Sequence, residues 1–388
     1  MINTGNPLVS IIIAAYNAAS FISRLLKSIS DSFYLEIIVV NDGSSDSTAE
    51  IVSRMALADR RIRLINQKNA GVSAARNRGI LEAKGQWLMF ADADDWFDSE
   101  QLDLLIEKLG LLDENVAVAK FGVKHVFSEC TVCHDVKEQV LPTEEFLDKG
   151  LFMEASWNYA FRRELINKYG LCFPEGIINT EDQNFNLKAI VASGKIASIN
   201  LMVYYYNKTN ESSASQKKHK KEWTEAPVLS ALDLIDFCQK WQLPVESIKG
   251  NIAHLLYQFF EDKSSDITFK QRKEIYNPSY RKICEAIPSF SGFKKYAIPC
   301  RSMALGMLLE PAFQKGLGIL HINRESFGYH LFQMARTFVL VNIGMTIFRA
   351  DSVKEAVRML IFVFVQRDQA LGFRNYVLDN GKIGRAHV

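Results

Sequence analysis

The chain has 388 residues, 48% hydrophobic and 23% charged, which is the balance of a folded protein and excludes wholesale disorder. A formal net charge of +2 supplies no global field to gather nucleic acid, and six cysteines in this length do not make a disulfide scaffold. The opening MINTGNPLVS lacks the basic and apolar regions of a signal peptide, and no segment reaches the roughly 20 apolar residues of a bilayer span, so a cytoplasmic location is expected.

Residues 9–14 (VSIIIA) form a continuous apolar run, as for a strand buried on both faces. Asn17 is placed to cap the next helix, whose apolar stripe is Phe21, Ile22, Leu25, Leu26 and Ile29. Residues 35–40 read as a second strand ending at Asn41-Asp42-Gly43-Ser44, and Ser47 and Glu50 have the spacing of a capping box. A third strand is expected over 62–65, a helix over 71–83 stopped by Gly85, and a fourth strand over 87–90. This alternation predicts an α/β fold with a mostly parallel sheet covered by helices on both faces.

After Ser99 the pattern changes. A helix is expected over 101–111, strands over 116–127 and 136–141 joined by a turn, helices over 163–169 and 182–191, and a strand over 196–206. The polar, basic stretch 207–222 marks a boundary, and two amphipathic helices split at Leu243-Pro244 follow over 227–260. The organisation expected is one domain over 1–222 with halves 1–100 and 101–222, a helical extension over 223–300, and a helical segment over 301–382. Residues 383–388 (IGRAHV) read like translated sequencing adapter and are excluded from fold reasoning.

The chemistry gathers at strand ends. Residues 86–95 run from a hydrophobic strand into Asp92, Ala93, Asp94 and Asp95. Three carboxylates within four residues repel one another and are tolerated where a cation or a solvated helix start offsets them. At the carboxyl end of a buried strand they point to a hard divalent metal and the phosphates it carries. Ala15-Tyr16 and Asp42-Gly43-Ser44 end two other strands, and in an open parallel sheet such ends share one crevice. Each alone reads equally well as a solvated helix cap; three at successive strand ends favour a ligand site. Lys68, Asn69 and Gly71 lead into the helix bearing Arg76, and Lys68 and Arg76 could neutralise pyrophosphate charge there. No Gly-x-Gly-x-x-Gly follows the first strand, which argues against a dinucleotide site.

Residues 7–100, through VSIIIAAYNA, IIVVNDGSSDST, KNAGVSAARNRGI and WLMFADADDW, resemble the family 2 glycosyltransferases, which have the GT-A fold; the resemblance runs more loosely to residue 215. It implies a donor site at Ala15, Tyr16, Asp42, Ser44, Lys68, Asn69, Gly71, Arg76, Asp92 and Ala93. Within it, Asp42 reads the base, Asp92 contacts ribose or metal, Asp94 is the chief ligand of Mg²⁺ or Mn²⁺, and Asp95 stands behind it. Glu181-Asp182 resembles the family's Glu-Asp motif, which makes Asp182 the catalytic base and puts Glu181 on the acceptor side. Alone, the pair would read as dipole-matched residues of a first helical turn. The segment 156–163 resembles the acceptor-lining segment, with Trp157 and Asn158 as contacts, although Trp157 reads equally as core. Tyr204-Tyr205-Tyr206-Asn207-Lys208 departs from a family tail that more often carries arginine after the tyrosines.

The implied reaction is an inverting, metal-dependent transfer of a sugar from a nucleotide-diphosphate donor, UDP-linked by preference, to a hydroxyl of a saccharide or lipid-linked acceptor in cell-surface polysaccharide synthesis. The alternative is a nucleotide-sugar binding module without turnover. Residues 325–360, within a short stretch over about 309–365, resemble a late fragment of the membrane-bound O-acyltransferase family, notably at Arg336-Thr337-Phe338 and Phe348-Arg349-Ala350. His321 and His330 sit in no acyltransfer motif, so no acyltransferase activity is expected. That fragment leaves a peripheral membrane contact open; Lys217–Lys221 could rest on anionic lipid but reads first as a solvated linker. Cys130-Thr131-Val132-Cys133-His134 fits a haem-attachment pattern but is expected in a hairpin turn and is read as coincidence.

Overall fold

The computed structural model describes residues 7–210, 221–261 and 267–290. The expectations for 301–382 and 383–388, including the acyltransferase-like stretch, lie outside the described residues. The chain divides into two compact units, Met1–Lys249 and Gly250–Val388.

In the first unit the chain runs through β1 (Val9–Ala15), α1 (Ile22–Ser28), β2 (Leu35–Asp42), α2 (Thr48–Ala58), β3 (Ile62–Gln67), α3 (Val72–Glu82) and β4 (Trp87–Asp92). It continues with β5 (Trp96–Phe97), α4 (Ser99–Leu111), β6 (Val118–Val126), β7 (Thr131–His134), β8 (Gln139–Pro142) and α5 (Thr143–Asp148). Then come β9 (Tyr159–Arg162), α6 (Arg163–Tyr169), α7 (Glu181–Ser193), β10 (Lys195–Asn207) and α8 (Lys221–Trp241).

The strands lie in the order β3-β2-β1-β4-β9-β6-β10-β5, with β7 on β6 and β8 on β10. The first four are parallel, as the alternation of strand and helix requires. Beyond them β9 runs antiparallel between β4 and β6, while β10 is parallel to β6. The sheet is therefore mixed in its second half.

Both faces of the sheet are apolar, which is why the first strands read as unbroken hydrophobic runs. On one face Val9, Ile11, Ile13 and Val39 pack with Leu25 and Leu26 of α1 and Leu102, Leu105 and Ile106 of α4. On the other, Ile12, Ile38 and Val40 pack with Ala75 of α3 and with Phe90, Phe161, Phe173 and Phe185. Each such side chain contributes about 1.5–3 kcal/mol on burial. α3 sits close on β1 because residue 79 is glycine: a Cβ there would lie 2.3 Å from Ile12 Cγ2. Phe173 and Phe185 stack at 4.2 Å, and Phe90 meets Phe173 edge-on at 4.9 Å. This aromatic wedge sits under the start of α7.

Several local expectations are corrected. Asn17 does not cap α1, which starts only at Ile22; Asn17 takes φ +49° and its side chain accepts the Ser45 N–H at 2.8 Å. Ser47 makes no side-chain cap on α2; Asp46 instead accepts the Thr48 N–H at 3.0 Å. Thr131–His134 forms a strand on β6, not a turn, and β8 pairs with β10 rather than returning to β6.

In the second unit, α9 (Lys249–Glu261) and α10 (Phe269–Ala286) are described. α10 opens on a reciprocal cap, with Thr268 Oγ1 accepting from Gln271 N at 3.3 Å and Gln271 Oε1 accepting from Thr268 N at 2.9 Å. Arg272 donates to the Phe259 carbonyl, and Phe260 meets Tyr276 edge-on at 5.3 Å. Among the described residues no helix is long and apolar enough to cross a membrane.

Candidate active site

The carboxyl ends of β1, β2 and β4 meet on one edge of the sheet, because the three strands are neighbours and parallel. Ala15 closes β1 as a buried residue, and Tyr16 beyond it is exposed. The turns after β1 and β2 are tied together: Asn17 N–H donates to Ser44 Oγ at 2.9 Å and Ala19 N–H to Asp46 Oδ2 at 3.0 Å. Asp42, buried at the end of β2, accepts from Gln67 Nε2 at 2.8 Å, Ala70 N at 2.9 Å and Gly71 N at 2.9 Å. It thereby fixes the loop carrying the exposed Lys68 and Asn69. Gly43 takes φ +70° against Asn69 N, where a Cβ would come within 2.7 Å, so the close approach of these two loops demands glycine.

Arg76, on α3, is the centre of the site. Its guanidinium is 5% exposed and bridges two distant acids, Nη2 to Asp92 Oδ1 at 2.9 Å and Nη1 to Asp182 Oδ1 at 2.6 Å. Glu181 lies 3.9 Å from Nη1, and the Phe173 ring lies 5.1 Å beneath the guanidinium. Burial works against its charge, but Asp182, Asp92 and Glu181 more than offset that and hold Arg76 protonated beyond its ordinary range. Arg76 thus gives one Nη1 and one Nη2 donor to carboxylates rather than standing free for pyrophosphate, and its Nε is buried without a hydrogen-bond partner among the described residues.

Asp182 stands in the first turn of α7. Its Oδ2 accepts the Ser156 N–H at 3.3 Å. Burial raises its proton affinity, Arg76 lowers it, and the charge of Asp92 raises it again; the net direction is upward. Glu181 beside it is pushed up to about 7 by burial and by the charge of Asp182. Its Oε2 is buried without a hydrogen-bond partner among the described residues.

At the acidic turn after β4, Asp95 is 0% exposed and accepts from Tyr204 Oη at 2.7 Å and Asn207 N at 2.7 Å. The Tyr204 hydroxyl in turn accepts the Asp92 N–H at 2.9 Å. Asp95 therefore shapes the turn from behind, and Ala93 beside it is buried. Asp94 is half-buried; Asn210 Nδ2 donates to its Oδ2 at 2.7 Å, and Arg24 Nη2 donates to its carbonyl at 2.5 Å. Burial raises the Asp94 carboxyl above its ordinary range, the Asn210 bond draws it back, and Asp92 raises it further.

These residues suit a hard divalent cation. A positive ion beside Asp92 and Asp94 relieves both the burial and the mutual repulsion that hold Asp94 high. Among the described residues no group of three or more His, Cys, Asp or Glu side chains converges. A cation here would complete its shell from substrate oxygens and water, as Mg²⁺ and Mn²⁺ do.

Of the residues expected to line an acceptor, Trp157 is buried, with its ring stacked on Tyr204 at 5.1 Å and against Tyr206 at 5.0 Å. Its position is that of core, and no sugar can lie between those rings. Asn158 is 0% exposed and donates to the Met153 sulfur at 3.1 Å. The sequence reading did not single out Arg24 or Asn210 at the site, and it named Tyr204 only as part of the tyrosine-rich tail. Tyr204 reaches Asp92 and Asp95 only because β10 pairs with β5, in register Tyr204 with Phe97.

The family model described as Glycosyl transferase family 2 matches residues 10–170. EpsH and EpsJ of Bacillus subtilis (strain 168), both named as glycosyltransferases, are 30% and 32% identical over 225 and 239 residues. Those alignments take in 55% and 58% of this chain, and 64% and 66% of the relatives, so the chain spans less than two thirds of either relative's length. The crystal structure of Staphylococcus aureus TarS 1-349 in complex with UDP-GlcNAc superposes with a TM-score of 0.56 at 20% identity, over 72% of this chain and 82% of that one. The likeness extends the agreement from sequence motifs to the path of the backbone: residues 10–170 match the glycosyltransferase family 2 model, and the chain has a GT-A-like fold.

Proposed function

We propose that the protein is an inverting, metal-dependent glycosyltransferase that moves a sugar from a UDP-linked donor to a hydroxyl of a saccharide acceptor, in the synthesis of a cell-surface polysaccharide. The observation that carries this reading is the single guanidinium of Arg76 shared by Asp92 and Asp182, which come from elements 90 residues apart in the chain. A donor-side carboxylate and a base candidate thus stand at one site.

Inverting transfer needs a carboxylate to take the acceptor's proton as its oxygen attacks the anomeric carbon. Asp182 supplies it, oriented by Arg76 through one oxygen and by the Ser156 N–H through the other. A bound Mg²⁺ or Mn²⁺ at Asp94 and Asp92 would neutralise the departing diphosphate as a Lewis acid. A carboxylate offers about four acceptor positions. Asp42 uses three of them on its loop, which leaves one for the N–H of a uracil. The UDP-GlcNAc held by TarS, whose fold this chain resembles, supports a uridine donor. The proposal assigns no role to 309–365.

Asp182→Asn tests it. UDP release should fall by about 10²–10⁴-fold, while Mn²⁺-dependent UDP binding, measured by calorimetry, stays within a few-fold. Unchanged turnover removes Asp182 from the role of base. UDP binding by the wild type with no turnover on any donor and acceptor pair would favour a binding module.

A further inference from the structure

The short segment leaving β10 is stitched to the acidic turn. Asn207 N–H donates to Asp95 Oδ1 at 2.7 Å and Asn207 Nδ2 to the Asp94 carbonyl at 3.1 Å. Asn207 Oδ1 accepts the Thr209 N–H at 3.1 Å and the Thr209 hydroxyl at 2.7 Å. These links set Asn210, the residue after Thr209, with its Nδ2 2.7 Å from Asp94 Oδ2. The amide is therefore held where a cation bound by Asp94 would sit beside it.

The two ends of an amide have nearly the same shape and differ only in whether they donate or accept. Facing a bare carboxylate, the side chain turns its NH₂ inward. Facing a cation clasped by that carboxylate, the same half-turn brings Oδ1 inward, and a neutral amide oxygen is an ordinary ligand for a hard divalent ion. The neighbouring acids are less available. Asp95 spends its oxygens on Tyr204 Oη and Asn207 N, and Asp92 shares one with Arg76.

We propose that Asn210 rotates its amide when the metal-bound donor arrives and gives its side-chain oxygen to the cation held by Asp94. The inference rests on the metal site proposed above. It makes the segment after β10 a reporter of occupancy: with the site filled, Asn210 trades a hydrogen bond for a metal bond.

The experiment titrates Mn²⁺ into the full chain at saturating UDP, reading free Mn²⁺ by electron paramagnetic resonance, with folding of every variant checked by circular dichroism. Asn210→Leu should weaken Mn²⁺ by about tenfold or more, the scale on which lost metal-site contacts act. Asn210→Asp discriminates the roles. As an oxygen ligand it keeps Mn²⁺ affinity within about threefold or tightens it; if the side chain at 210 does not reach the cation, it fails like Leu, because no metal bond replaces the lost hydrogen bond to Asp94. Full affinity in Asn210→Leu, or equal loss in both variants, overturns the role of Asn210 while Asp94→Asn still abolishes binding. Wild-type protein that binds no Mn²⁺ with UDP overturns the metal site itself, and the inference with it.

Discussion

Replacing Arg76 tests how the site is held together. Its two close contacts, at 2.6 and 2.9 Å, each represent about 6 kcal/mol of attraction at an effective dielectric constant near 20. Desolvation of the 5%-exposed guanidinium takes back most of it. Removing the cation alone, as in Arg76→Gln, strands three acids and should cost about 3 kcal/mol, read by urea denaturation. Arg76→Lys is the sharper perturbation. A lysine keeps the charge but offers one nitrogen, and so cannot hold Asp92 and Asp182 through two separate nitrogens as Arg76 does. The fold should survive with a loss of about 1–2 kcal/mol, the residue of the cost above. The rate constant for UDP release should fall by about 10²-fold, because misplacing a base by about 1 Å has that effect. The donor KM should change little. Wild-type kcat in Arg76→Lys refutes the positioning argument. An unchanged kcat with a raised donor KM would return Arg76 to the role of diphosphate contact.

Two further outcomes follow from the same geometry. Glu181, normally near 4.5, is raised to about 7, so its contribution to stability is full below about pH 4.5 and is lost as pH rises through 7. Glu181→Gln should therefore match the wild type near pH 4.5 and exceed it at pH 8 by at most about 3 kcal/mol, following 1.36 kcal/mol per unit; a constant difference across that range in denaturation experiments would contradict the assignment. Gly79→Ala drives a methyl to 2.3 Å from Ile12 Cγ2 in a packed layer, and should cost about 1–3 kcal/mol with kcat in the surviving fold reduced, since α3 carries Arg76. A neutral melting temperature would show that α3 can slide.

What the sequence could and could not convey divides along physical lines. The strands β1, β2 and β4 were legible because burial on both faces writes an apolar run into consecutive residues, and the acidic ends of β2 and β4 stand out by contrast. Asp42, Asp92, Asp94 and Asp182 were nameable for that reason and by resemblance. The cap assignments failed where local signals competed: Asn17 and Ser47 could serve a helix, but the tie between two loops claimed Asn17, and Asp46 reached the helix start first. Trp157 has the same identity in a core as on a sugar, and only the stacking of Tyr204 on its ring places it.

By itself, then, the sequence determined which strands carry carboxylates to one edge of the sheet, since that depends on periodicity and on residues adjacent in the chain. The tertiary structure alone decided the partners: Arg76 between Asp92 and Asp182, Tyr204 behind Asp95, Asn210 against Asp94. Those contacts join residues 16 to 116 positions apart. Their distances are set by strand order and helix packing, which no local pattern of side chains encodes.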